Sequence, residues 1–222
     1  MAMMLAGINR RDMGKMVEVA ATRRSQPERR EEMRRRLVAA TLDALADHGH
    51  AGASLSVILD KAGVSRGAWA HHFDTKAEML ALAAEGLLRE AVASAGTLSP
   101  PALSPSDGPA ALGALLEQAW ARFYEGRHRD LLFEVALAAR TDAELKQRLA
   151  PIFSDFITAV GQSWGLALHP RPGAGVAVAD LMVLTVYMLR GMAMQELAAG
   201  PSPDHARLRA LWAGLLAAQV TF

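Results

Sequence analysis

Apolar residues recur at three- and four-residue spacing along most of this chain, and short clusters of Gly, Pro and Ser separate the runs. That period predicts amphipathic helices. The first spans Glu28 to about His48, with Met33, Leu37, Ala40, Thr41, Ala44 and Leu45 on its inner face and Arg30, Arg34 and Arg35 on others. Gly49 is a plausible stop. Ser54 can cap a short second helix that turns Leu55, Ile58, Leu59 and Ala62 inward, and Gly63 makes the turn that follows. Ser65 caps a third helix to about His72. Thr75-Lys76-Ala77-Glu78 has the spacing of a capping box and opens a fourth helix reaching roughly Ser94, with Met79, Leu80, Leu82, Ala83, Leu87 and Leu88 apolar. Residues 96–109, GTLSPPALSPSDGP, read as a linker. Beyond it the pattern predicts five helices, about 109–126, 129–140, 142–167, 173–198 and 203–220, with a kink at Pro151. The expectation is an all-α chain of about nine helices without internal repeats.

Composition agrees. The chain has 222 residues, 51% hydrophobic and only 5% aromatic, and Ala and Leu dominate over β-branched residues. It has no cysteine, which removes disulfides, thiolate metal sites and a cysteine nucleophile. Charge adds a new element. The net +1 hides ten Lys/Arg against five acids in residues 1–36, net +5, on a body that carries net −4. A basic end suits a polyanion; a solvated basic tail is the plainer alternative. Residues 1–27 lack an apolar period and read as a flexible basic arm. Met1, Met3, Met4 and Leu5 are too few for a signal-peptide core. The most apolar stretch, 170–198, is interrupted by Asp180, Arg190 and Glu196, so a buried helix is expected there and no membrane span. A cytoplasmic location follows as an expectation. The division expected is 1–27 arm, 28–75 small helical domain, 76–222 larger helical domain.

The candidate chemistry lies in residues 54–76, SLSVILDKAGVSRGAWAHHFDTK. Two short helices around Ala62-Gly63, the second starting at Ser65, have the form of a helix-turn-helix, which lays its second helix in the DNA major groove. Arg66 falls in the first turn of that helix, where it reaches base edges; a bidentate Arg–guanine contact is worth about 1–3 kcal/mol of discrimination. Gly67 lets the backbone approach phosphate, Ala68 can touch a thymine methyl, and the Ser65 hydroxyl and helix N-terminus suit phosphate. Arg29, Arg30 and Arg34 add sequence-independent attraction.

Leu55, Ile58, Ala62-Gly63-Val64-Ser65, Gly67, His72-Phe73 and Lys76, after a basic helix and before a capped long one, resemble the tetracycline-repressor (TetR) family of bacterial transcriptional regulators. The likeness covers residues 29–94; residues 95–222 agree in helix number and length only. It implies a three-helix DNA-binding domain followed by a helical effector-binding and dimerisation domain. By it, the DNA-contacting residues are Arg29, Arg30, Ser54, Ser65, Arg66, Gly67, Ala68, His71, Thr75 and Lys76. Two positions depart from the usual pattern, which has a leucine-like residue and then a tyrosine where this chain has Trp69 and Ala70. Losing the tyrosine removes a common phosphate contact that His71 can replace. Trp69, His72 and Phe73 suit packing. Leu59 stands where many members have alanine, which can widen the gap between the second and third helices.

The resemblance also implies a small-molecule cavity in the second domain. Candidates to line it are Trp120, Phe123, Tyr124, Phe133, Phe156, Met182, Tyr187 and Met188, together with Phe153, Trp164 and Met192; for any one of them plain core packing is the commoner role. Such a lining suits a hydrophobic or aromatic effector, with Arg122, Glu134, Arg190 and Gln195 as sources of polarity. The last two helices, 173–198 and 203–220, are apolar on more than one face (Ala177, Leu181, Leu184, Met188, Met192 and Leu197; Leu208, Leu211, Trp212, Leu215 and Leu216), as a four-helix homodimer interface requires. No metal or cofactor is expected: His48/His50 and His71/His72 do not share a helix face. The reading is a dimeric regulator, most simply a repressor, that binds a near-palindromic double-stranded DNA operator and is released by an effector. An architectural protein binding DNA without sequence preference is the alternative, and Arg66→Ala separates the two. An enzyme is disfavoured, since no nucleophile elbow, phosphate-binding glycine loop or paired carboxylates stand out.

Overall fold

The computed structural model describes residues 25–97 and 108–221, so most of the expected basic arm and of the linker lie outside the described residues. Nine helices form among the described residues: α1 (Gln26–Gly52), α2 (Leu55–Ala62), α3 (Arg66–Trp69), α4 (Lys76–Thr97), α5 (Gly108–Phe123), α6 (Gly126–Thr141), α7 (Ala143–Gly165), α8 (Val178–Ala199) and α9 (Pro203–Gln219). The predicted fold class and helix number agree with this. A two-residue antiparallel pairing, β1 (His169–Pro170) with β2 (Val220–Thr221), was not anticipated.

Local chemistry explains where the boundaries moved. α1 starts before Glu28 because Ser25 caps it: the Ser25 side chain accepts from Glu28 N at 3.4 Å and the Glu28 carboxylate accepts from Ser25 N at 2.6 Å. Pro27 sits in the first turn, where a missing N–H costs nothing. At its other end α1 breaks at Gly49, whose φ of 65° and ψ of 177° are not helical. α3 closes at Trp69 rather than His72, because His71 N and His72 N bond back only three residues, to Ala68 and Trp69. α8 begins at Val178 rather than 173. Arg171 is held by the chain terminus, its N donating to Gln219 O and its Nε to Ala217 O, both at 2.8 Å, and Gly173 follows at φ 84°. α7 runs through Pro151 as a single helix, with the proline exposed.

Two apolar clusters hold the chain together. One joins α1–α3 and the first half of α4 to α6 and the start of α7, through Leu37, Leu45, Ile58, Phe73, Met79, Val135 and Leu149. The other joins the second half of α4 to α5 and α7–α9, through Leu112, Leu116, Phe123, Met182 and Leu189. Burial of each such side chain is worth about 1.5–3 kcal/mol. The division falls within α4, between Leu88 and Ala91, so one rigid helix belongs to both clusters. α4 packs chiefly on α7.

Candidate nucleic-acid interface and effector cavity

Side-chain caps build the helix-turn-helix. Ser54 accepts from Val57 N at 3.3 Å and Ser65 from Ala68 N at 3.2 Å. Between them Gly63 adopts φ 59°, ψ 42°, its N–H turned back to α2. This left-handed position is open to glycine and strained for other residues. The Gly63 carbonyl accepts from Arg36 Nη2 at 3.3 Å. Thr75 accepts from Glu78 N at 3.0 Å, while the Glu78 carboxylate caps Asp74 N rather than Thr75 N. The expected box therefore forms with its return bond one residue early.

These caps bring Ser65, Arg66 and Gly67 to one exposed helix start, with Ala68 half-buried behind them. No carboxylate of the described residues pairs with Arg66. No atom comes within 4 Å of a Cβ built on Gly67, so that flank is open for close approach. Arg29, Arg30 and His71 line one broad groove of about 630 Å³ with Gln26, Pro27, Met33 and His72. Ser54 lies exposed at the start of α2, its hydroxyl 3.0 Å from Ser56, and Thr75 and Lys76 open α4.

Arg34 differs from its neighbours and is not a free phosphate ligand. Its Nη1 donates to the His72 carbonyl at 2.6 Å and its Cζ lies 4.4 Å from the Phe73 ring centroid. It ties α1 to the turn after α3. Trp69 and Phe73 pack into the core below, and the Trp69 Nε1 and His72 Nδ1 atoms are buried without a partner. Burial, with Arg30, Arg34 and His71 adding like charge, pushes the His72 pKa down, so this imidazole stays neutral near pH 7. Leu59 is buried in the core that joins α1–α3 to α4.

The second lobe holds a cavity of about 90 Å³ between α4, α5, α6, α7 and α8, lined by Leu88, Ala91, Phe123, Tyr124, Leu132, Phe133, Ala136, Phe153, Phe156 and Arg190. A smaller one of about 20 Å³ shares Phe123, Tyr124 and Phe156 and adds Trp164, Met182 and Thr185. Five of the eight candidate lining residues thus meet at these cavities: Phe123, Tyr124, Phe133, Phe156 and Met182. Three do not. Trp120 is buried against Arg209, whose Cζ lies 4.2 Å from its ring centroid. Met188 is half-buried against the core. Tyr187 is 57% exposed on the outer face of α8. Of the proposed polar groups only Arg190 lines the cavity. Arg122 bonds Ser94 and Glu90 on α4, and Gln195 is exposed.

Glu134 has another task. Its carboxylate accepts from His50 N at 2.7 Å and would lie 3.3 Å from a Cβ on Gly49, so α6 caps the broken end of α1. Arg127 on α6 pairs with Asp43 on α1, and Arg148 on α7 with Glu85 on α4 at 2.7 Å. No sequence signal could have found these contacts, whose partners are 63 to 84 residues apart.

An exposed helix start capped by Ser65, carrying an arginine with no carboxylate partner among the described residues and followed by a long helix that also walls a cavity, defines a helix-turn-helix DNA-binding protein with a helical second lobe. Known proteins agree. Residues 37–83 match the bacterial regulatory proteins of the tetR family. An HTH-type transcriptional regulator of Mycobacterium tuberculosis is 36% identical over 153 residues, 68% of this chain and 73% of its own length. The HTH-type transcriptional regulator CymR of Pseudomonas putida is 30% identical over 175 residues, 79% of this chain and 84% of its own. A TetR-family transcriptional regulator from Mesorhizobium loti shares the fold at TM-score 0.69 and 15% identity, over 87% of this chain and 99% of that one. The chain belongs to the TetR family of bacterial transcriptional regulators. Such regulators bind DNA and small-molecule effectors and act as dimers. No described helix is long and apolar enough to cross a membrane.

Proposed function

We propose that this chain is a dimeric repressor that reads a near-palindromic operator with residues 65–72 and lets go when a small apolar effector enters the cavity behind α4. The observation that carries the reading is the double role of α4. Its first turn joins the segment that follows the reading helix, the Glu78 carboxylate capping Asp74 N and Met79 sharing a core with Trp69, and Leu88 and Ala91, three to four turns on, form one wall of the cavity. An effector that spreads α4 from α6 and α7 tilts the reading helix with it. At about 90 Å³ the cavity is smaller than the ~150 Å³ that holds benzene in an engineered core, so occupancy requires that spreading. Effector and operator then select different states, a population shift between sites.

Dimerisation is supported by what α8 and α9 leave uncovered. Leu184, Tyr187, Met194 and Leu197 on α8 and Leu211 and Leu215 on α9 are exposed apolar residues on adjacent helices. Leu181, Leu216 and Trp212 of the same two helices face inward, Trp212 Nε1 donating to Thr185 at 2.9 Å. A patch of that kind marks an association surface. Its symmetry mate would set two reading helices on half-sites about one DNA turn apart, or a multiple of it. DNA contact itself falls to Arg29, Arg30, Ser54, Ser65, Arg66, Gly67, Ala68, His71, Thr75 and Lys76. Selection from a random duplex pool tests the reading: a two-fold symmetric site should be enriched, bound by two copies of the chain. Enrichment of no sequence would overturn it.

A further inference from the structure

The cavity contains one feature that an apolar effector leaves unexplained, the guanidinium of Arg190. Three other arginines of this lobe have carboxylates: Arg122 has Glu90, Arg148 has Glu85, and Arg209 makes a two-pronged bond to Glu117 at 2.8 Å. Arg190 has none among the described residues. Its neighbours are the Tyr124 phenol and the Phe156 ring, the latter 5.5 Å from Cζ to centroid. Neither supplies a negative charge. Tyr124 is 4% exposed, and burial pushes its pKa up, so the phenol keeps its proton and is a donor. Cation and phenol thus both present hydrogens, and the remaining lining is apolar. A half-buried guanidinium without a counter-charge is costly, and its planar fork fits a carboxylate with two parallel bonds.

We propose that the effector is an apolar monocarboxylate: its carboxylate pairs with Arg190 and accepts a hydrogen bond from the Tyr124 hydroxyl, and its body lies among Phe123, Phe133 and Phe156. One cation matches one negative charge. Once α4 spreads as proposed above, the enlarged cavity suits a single ring or a short chain. The smaller cavity beyond Phe156 is lined by Trp164, whose buried indole N–H has no partner, so a ligand extended that way gains from an acceptor at its far end.

The inference rests on the effector reading above. Calorimetric titration of the full chain with 3-phenylpropionate and with its uncharged amide tests it. The acid is expected to bind about tenfold tighter than the amide or better, as a charged hydrogen-bond pair implies. Arg190→Met should abolish the preference for the acid, weakening the acid about tenfold or more and the amide, which loses a neutral hydrogen bond, by much less. Arg190→Lys, which keeps the charge without the fork, should retain part of the preference and guards against a folding defect in the Met variant. Equal binding of acid and amide, or a preference that survives Arg190→Met, overturns the carboxylate and leaves the apolar effector standing. Binding of neither compound at millimolar concentration overturns both.

Discussion

Arg34→Gln distinguishes an internal tie from a phosphate contact. The side chain is 28% exposed and donates to the His72 carbonyl at 2.6 Å, stacks over Phe73 at 4.4 Å, and lies 4.0 Å from Glu78. A charged hydrogen bond is worth about 1.5–3 kcal/mol when dry, and the lower end applies at this exposure. The cation–π contact adds about 0.5–1 kcal/mol, and the ion pair almost nothing. The loss expected is about 2 kcal/mol. At about 2–4 °C per kcal/mol for a chain of this size, the melting temperature should fall by about 4–8 °C. Differential scanning calorimetry reads this. Fluorescence anisotropy on a labelled duplex, between 50 and 200 mM salt and well below the transition, supplies the second readout. A lost phosphate contact lowers the salt slope by about 1, so Arg34→Gln should leave the slope unchanged. Arg30→Gln, on the exposed side of the same helix, should show the opposite: a reduced slope and an unchanged melting temperature. A stable Arg34→Gln protein with a shallower salt slope would refute the reasoning.

Other outcomes follow from the same geometry. Gly63→Ala forces a Cβ into a left-handed turn 2.7 Å from Arg36 Nη2, and should lower the urea midpoint by the equivalent of about 1–2 kcal/mol. Burial first, then Arg30 and Arg34, lowers the His72 pKa, and burial first, then Arg122, lowers that of His128. The unfolded chain therefore takes up protons near its ordinary histidine pKa of about 6.5 while the folded chain does not. Stability should be full above that value and fall as pH drops through it toward the lowered folded values; urea midpoints across pH 8 to 5 should show the decline, and His72→Gln should reduce it, leaving the part due to His128. Leu184→Glu with Leu215→Glu, at positions 52% and 53% exposed, should give a monomer by sedimentation with unchanged helical circular dichroism.

The turn and its caps were legible because they are local. Ser54, Gly63, Ser65 and Thr75 each act within a few residues, and those signals located α2, α3 and the start of α4. Ser25 carried the same signal but sat beside Pro27, which reads as the end of an arm as readily as the first turn of a helix. Arg34 illustrates what sequence does not carry. A positive charge at that position serves a phosphate or a carbonyl equally well, and only the fold brings His72 to it. Tyr187 marks a second limit. α8 is apolar on most sides, so periodicity gives it no phase, and a tyrosine there can face the cavity or the outside. Glu134 offered no signal, because the amide it caps is 84 residues away.

Arg66 tests the central claim most directly. On an operator selected from random duplexes, Arg66→Ala should lose about 10- to 100-fold in affinity, the loss of one bidentate base contact, and less than about twofold on an unrelated duplex at the same salt concentration. An equal loss on both duplexes, or none on the operator, would contradict the claim that this helix reads sequence.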